Sequence, residues 1–200
     1  MSPDERPSPP VIAVIDTSVL IEFKQVVGIE QQWDLLMEMS ARVNAGAVAF
    51  PRQVVAALSA VRHPDAPGEW IASAKRSMCH PEPAEETLVR VLAVAHDLVE
   101  VDNPNDAADP YVAAMALELA ERHPESRVVL VTNDVVDRLP VKIALKTACD
   151  RVGIPSCPLV SLIAWLNDPT ASFSPHDDPG RPSGPAAEPS GATRQARSLK

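Results

Sequence analysis

Residues 11–16, Val-Ile-Ala-Val-Ile-Asp, decide how this chain folds: five apolar residues, four of them β-branched, end at an aspartate. A run this short and this uniformly apolar leaves no face for solvent, so it reads as a strand covered on both sides. Strands of that kind belong to parallel sheets. In open parallel sheets the ligand site lies beyond the carboxyl ends of the strands, which makes Asp16 the first residue to weigh.

Working outward, a helical pattern over 31–43 carries Trp33, Leu36, Met37 and Val43, a turn follows at 44–46, and 47–50 is a second apolar run. Pro51 opens a helix whose Val54, Val55, Leu58 and Val61 share one face. Further helices are expected over 69–78 and over 84–98, the latter striped by Leu88, Val91, Leu92, Ala95 and Val99. Asp109 and Pro110 then start a long helix, and residues 127–132 (RVVLVT) form the clearest strand in the chain. A helix over 141–152, stopped by Gly153, and a short apolar segment at 157–160 complete an alternating pattern. The expected fold is a three-layer α/β domain, a mainly parallel sheet with helices on both faces.

The 200 residues suit one domain, with an apolar share of 46% and an aromatic share of 4%, so the core is built from Val, Ala, Leu and Ile. Residues 1–10 and 168–200 are rich in Pro, Ser, Gly and charge and are expected to be disordered, leaving 11–167 as the folded unit. No apolar run approaches a membrane span and the N-terminus lacks the order of a signal peptide, so a cytoplasmic protein without membrane contact is expected. Cys79, Cys149 and Cys157 form no C-x-x-C pair and read as reduced thiols. A net charge of −9 argues against a broad electrostatic nucleic-acid binder.

The chemistry is expected where acids meet strand ends. Asp16 follows the first strand, Asp134 follows the late strand after Asn133, and Asp109 stands at a helix start that can face the same edge. Such a gathering would repel by roughly 4 kcal/mol per pair at about 4 Å and an effective dielectric near 20, so the acids share protons or hold a cation. Oxygen ligands without His or thiolate select a hard ion, Mg²⁺ or Mn²⁺, which can activate water for attack on a phosphodiester. Each aspartate also has a structural reading, because Asp16 and Asp109 can cap helices and Asn133-Asp134 can form an Asx turn. A phosphoacceptor role for Asp16 is a third reading, although no second acid adjoins it.

These residues resemble the PIN-domain ribonucleases, and among them the PIN-like toxins of toxin–antitoxin pairs. VIAVIDTSVLIEF is similar to that family's opening strand with its first metal-binding Asp, DPYVAAMA to its D-x-x-[IV]-A-x-x-A helix start, and VTND to its late acidic strand end. The resemblance spans about residues 11–160 and implies an endoribonuclease with Asp16, Asp109 and Asp134 as catalytic metal ligands and RNA as substrate. An antitoxin protein and a second copy of the chain stand as partners it leaves open. The family also carries a Glu in a P-x-x-V-x-x-E-L helix, and PRQVVAAL puts Ala57 in that place. Asp106, three residues before Asp109, is expected to supply a replacement oxygen to the metal, with Glu38 and Glu69 as weaker substitutes. Arg52, Arg62, Lys75, Arg76, Lys142 and Lys146 read as solvated surface that an RNA path can use, and Trp33, Trp70 and Trp165 read as core.

Overall fold

The structure, a computed structural model, describes residues 10–59, 65–99 and 108–176. Its centre is a sheet of four parallel strands: β1 (Val11–Ile15), β2 (Val48–Ala49), β3 (Arg127–Val131) and β4 (Ser156–Cys157), in the order β2-β1-β3-β4. β1 pairs with β3 along its whole length, from Val11 opposite Arg127 to Ile15 opposite Val131. β2 and β4, each two residues long, form the edges. Successive strand residues point to opposite faces, and Ile12, Ala13, Val14 and Ile15 are all fully buried, so helices cover both faces of the sheet. Each of the Ile and Val side chains contributes about 1.5–3 kcal/mol by leaving water, which favours a central place for this segment.

Eight helices build the layers: α1 (Thr17–Val26), α2 (Ile29–Asn44), α3 (Arg52–Ser59), α4 (Ala66–Ala74), α5 (Glu85–Val94), α6 (Asp109–Arg122), α7 (Leu145–Val152) and α8 (Leu159–Asn167). The long α6 packs on β1 and β3 with Val112, Ala113, Ala114, Met115, Ala116 and Leu119 buried. Its alanines let the helix axis approach the sheet closely. Pro110 occupies the first turn, where its missing N–H costs nothing. α7 stops at Gly153, which adopts a left-handed conformation with φ 77° that a glycine enters without strain.

Several elements depart from the reading of the sequence. α1 was anticipated only as a helix that Asp16 could cap, and Asp16 stands at its N-cap position without a side-chain cap bond; α8 was not anticipated. The helix expected over 141–152 begins only at Leu145, because Asp137 Oδ1 accepts from Ala144 N at 2.8 Å and Asp134 Oδ2 from Leu145 N at 3.0 Å, fixing the start there. The stretch 84–98 breaks at Ala95, whose ψ of 50° is not helical, and resumes as a single 3-10 turn at His96–Leu98. The helix expected over 69–78 starts earlier, behind Asp65, whose Oδ1 accepts from Gly68 N at 3.1 Å.

Two tryptophans belong to the core as expected. Trp70 is buried and donates from Nε1 to Ser40 Oγ at 2.8 Å, and Trp165 is buried beneath the Arg42 guanidinium. Trp33 does not: it is 54% exposed and Met37 63%, because α2 turns Leu35, Leu36, Met39 and Val43 inward instead. The folded unit also extends past residue 167. Phe173 is buried, its ring centroid 5.2 Å from that of Trp165, and His176 Nε2 lies 2.9 Å from Thr132 O. Among the described residues no helix is long and apolar enough to cross a membrane, and all three cysteines are free.

Candidate functional site

β1 and β3 lie side by side, yet the chain leaves them toward opposite edges of the sheet, β1 to β2 and β3 to β4. This is the topological switch point, beyond whose strand ends open parallel sheets take their ligands. Asp16 stands there. Asp16 N donates to Val131 O at 3.2 Å, continuing the β1–β3 ladder by one residue and setting Asp16 against Thr132. Its carboxylate is 2% exposed and Oδ2 accepts from Ser18 Oγ at 2.6 Å and from Thr132 Oγ1 at 2.7 Å. Burial pushes the Asp16 carboxyl above its ordinary range, the two hydroxyls pull it back, and the charge of Asp134 adds to the rise.

Thr132 also anchors Asp134, whose N–H donates to Thr132 Oγ1 at 3.0 Å. Asp134 Oδ2 accepts from Leu145 N and Asp134 O from Lys146 N at 3.1 Å, so this residue ties the end of β3 to the start of α7. The structural reading therefore holds at Asp134, which caps the start of α7. Asp109 opens α6 as a helical residue, with Ala108 in the cap position. Its side chain makes no cap bond but reaches Lys142 Nζ, 2.9 Å from Oδ2. Burial and then the charge of Asp16 push the Asp109 carboxyl up to about 6, against the pull of Lys142.

The three sequence-predicted aspartates thus form one electrostatic cluster, fed by the end of β1, the start of α6 and the end of β3. Asp109 and Asp134 share a cation: Lys142 Nζ is 4.0 Å from Asp134 Oδ2 as well. Lys142 itself is 4% exposed, which overturns its reading as a solvated surface base. A lysine is buried so deeply only when carboxylates meet it, and removing such a partner costs roughly 3–5 kcal/mol.

Sequence reasoning also missed Glu22. One turn beyond Ser18 on α1, it accepts from Asn133 Nδ2, while Asn133 N donates to Ser18 Oγ at 3.1 Å and Asn133 Oδ1 accepts from Leu159 N at 3.0 Å. The signal was the helical spacing of Ser18 and Glu22 behind Asp16. Asn133, read from sequence as a turn residue, is the joint between α1, β3 and α8.

Other candidates lie elsewhere. Glu38 pairs with Arg42 at 2.8 Å, and Glu69 is exposed in the first turn of α4. Ala57 is exposed on α3 and offers no oxygen from its side chain. Asp106, expected as a fourth metal ligand, lies outside the described residues. Arg62 does as well, whereas Lys146 is paired with Asp150 at 2.8 Å.

The donors fit a hard cation in chemistry, being carboxylate oxygens, two of them on acids raised chiefly by burial with a neighbouring carboxylate adding to the rise. In spacing the fit is incomplete, because among the described residues no three His, Cys, Asp or Glu side chains stand at ligand distances. Thr17 Oγ1, next to Asp16, is buried and finds no hydrogen-bond partner, a polar atom directed at nothing in the protein. Comparison with family models, curated proteins and solved structures finds no match for the chain.

Proposed function

We propose that this chain is a Mg²⁺- or Mn²⁺-dependent endoribonuclease of PIN-like type, acting as the toxin of a toxin–antitoxin pair. The observation that carries the reading is the convergence of Asp16, Asp109 and Asp134, from three separate elements, at the switch point of a parallel sheet. Buried acids at strand ends, raised by burial first and by a neighbouring carboxylate as well, support a site built for charge rather than for stability. A divalent ion held by these three aspartates would activate water and offset charge on the leaving oxygen. Around it, Ser18 and Thr132 fix the Asp16 carboxylate by their hydroxyls, and Asn133 holds the α1 and α8 ends beside those strand ends.

The resemblance to PIN-domain ribonucleases supports RNA as the substrate, and the acidic balance of the chain supports a basic protein, such as an antitoxin, as its partner. The test is cleavage of a mixed RNA pool with Mn²⁺ present. Asp16→Asn and Asp134→Asn are expected to abolish cutting while keeping the fold. Wild-type protein that neither binds Mn²⁺ nor cuts RNA refutes the proposal.

A second reading, a catalytically degenerate PIN-like module that binds protein or RNA, draws on Ala57 and on Lys142 lying among the acids. Ala57→Glu separates the two. A large gain of cleavage marks an eroded enzyme, and an unchanged rate on top of wild-type activity marks a site complete without that acid.

A further inference from the structure

Ile29, Trp33 and Met37 stand four residues apart on α2, so their side chains form one ladder along its outer side. They are 84%, 54% and 63% exposed. Three large apolar side chains in a row, a tryptophan at their centre, make the composition of an interface core rather than of a solvated helix face. We propose that this face of α2 docks an amphipathic helix of a partner protein, which lays apolar residues on the ladder and carries Lys or Arg along one flank. The inference locates a basic protein partner on the fold and does not depend on whether the acid cluster cuts RNA.

The face is held ready for such a partner. Leu35, Leu36, Met39 and Val43 anchor α2 in the core, Gln32 Nε2 donates to Val27 O at 2.9 Å across the joint with α1, and Ser40 Oγ accepts from Trp70 Nε1 at 2.8 Å. Little ordering of α2 is then lost on binding. The ladder runs for about 12 Å, roughly two helical turns, and a second helix matches it with apolar residues at the same spacing.

Charge selects the occupant. Glu30 and Asp34 are exposed on the flank toward which the ladder drifts, and beyond them lies a cavity of about 340 Å³ between α2 and the end of α8, lined by Gln31, Asp34, Leu35, Glu38, Leu166 and Asn167. A long basic side chain suits this order: its methylenes cross the helix surface and its cation meets the acids. A second copy of the chain suits it less, because an antiparallel two-fold pairing of α2 sets Glu30 and Asp34 against the same acids, and each chain carries a net charge of −9. The ends of this chain lack the apolar residues to match three rungs: 177–200 hold a single large one, Leu199, and 1–9 hold Met1.

The experiment uses the full chain and three synthetic helical peptides of about five turns. One carries Leu at every fourth residue with Lys and Arg on one flank; the second has Glu in place of those bases, and the third has Ser in place of Leu. Binding is followed by anisotropy of the labelled peptide, and the exposure of Trp33 by acrylamide quenching, since Trp70 and Trp165 are buried. The basic apolar peptide is expected to bind, to shield Trp33 and to weaken as salt rises, and the other two to bind at least about tenfold more weakly. Trp33→Ser should weaken the first peptide by about thirtyfold, the scale of a tryptophan at an interface centre, with a smaller loss in Met37→Ser and in Asp34→Asn. These positions are exposed, so an unchanged melting temperature checks that the fold is intact. No binding of the basic apolar peptide, equal binding of the acidic one, or unchanged affinity in Trp33→Ser overturns the inference. So does sedimentation showing that the chain pairs with itself while Trp33 becomes shielded, which assigns the face to a second copy. RNA cleavage is read in a separate assay, so failure here leaves the nuclease reading where it stands.

Discussion

Asp109→Asn offers a direct reading of the electrostatics at the strand ends. Burial and the Asp16 charge raise the Asp109 carboxyl from 3.8 to about 6. An acid whose pKa is higher in the folded state binds its proton more tightly there, so its contribution to stability is fully present below the unfolded value. That contribution is lost as pH rises through the interval from 3.8 to about 6. A gap of about two units corresponds to roughly 3 kcal/mol. The assay is urea unfolding with a chelator present, at pH steps spanning that interval, on wild type and variant. Wild type should lose about 3 kcal/mol more than Asp109→Asn across the window. Asp16 is raised in the same direction, so the variant keeps a residual slope. The comparison of slopes matters because, at neutral pH, the amide also leaves the Lys142 ammonium without its closest anion. Parallel stability curves for the two proteins refute the claim that Asp109 ionises against burial.

Two further outcomes test the fold around the site. Phe173→Ala removes a buried ring stacked near Trp165 and should lower stability by about 3–5 kcal/mol in chemical denaturation, whereas an unchanged midpoint means that the segment after α8 is not part of the fold. Gly153→Ala places a Cβ at φ 77° in open space, so the cost is backbone strain alone; a loss of about 1–2 kcal/mol is expected, and none would mean that the α7 terminus relaxes to another conformation.

The central pair of strands was readable because their residues have no alternative: VIAVI and the VVLV of β3 are too apolar for solvated positions and too short for a buried helix. Asp16 and Asp134 followed from those strands, since a strand end in a parallel sheet has a known relation to the site. Of α1 only the cap at Asp16 was read; its apolar face, Val19, Leu20, Phe23 and Val27 at helical spacing, went unread. Trp33 was misread because α2 carries two apolar ladders, Trp33 with Met37 and Leu35 with Met39, and only docking decides which one turns inward. Lys142 left a single trace, a lone charge inside the apolar run from Val141 to Leu145. Its nearest partner, Asp109, comes from α6, 33 residues away, and no local pattern reports it. Phe173 was discounted because the composition around it is that of a linker, and one aromatic against Trp165 outweighs that average.

The brevity of β2 and β4 limits how molecules of this protein can join. A rim of two residues offers an incoming strand too few amide and carbonyl groups to continue the ladder, which guards the sheet against edge-to-edge aggregation. Copies of the described fold that associate gain little from strand pairing, which leaves side-chain shape and charge on the other surfaces to choose the partner.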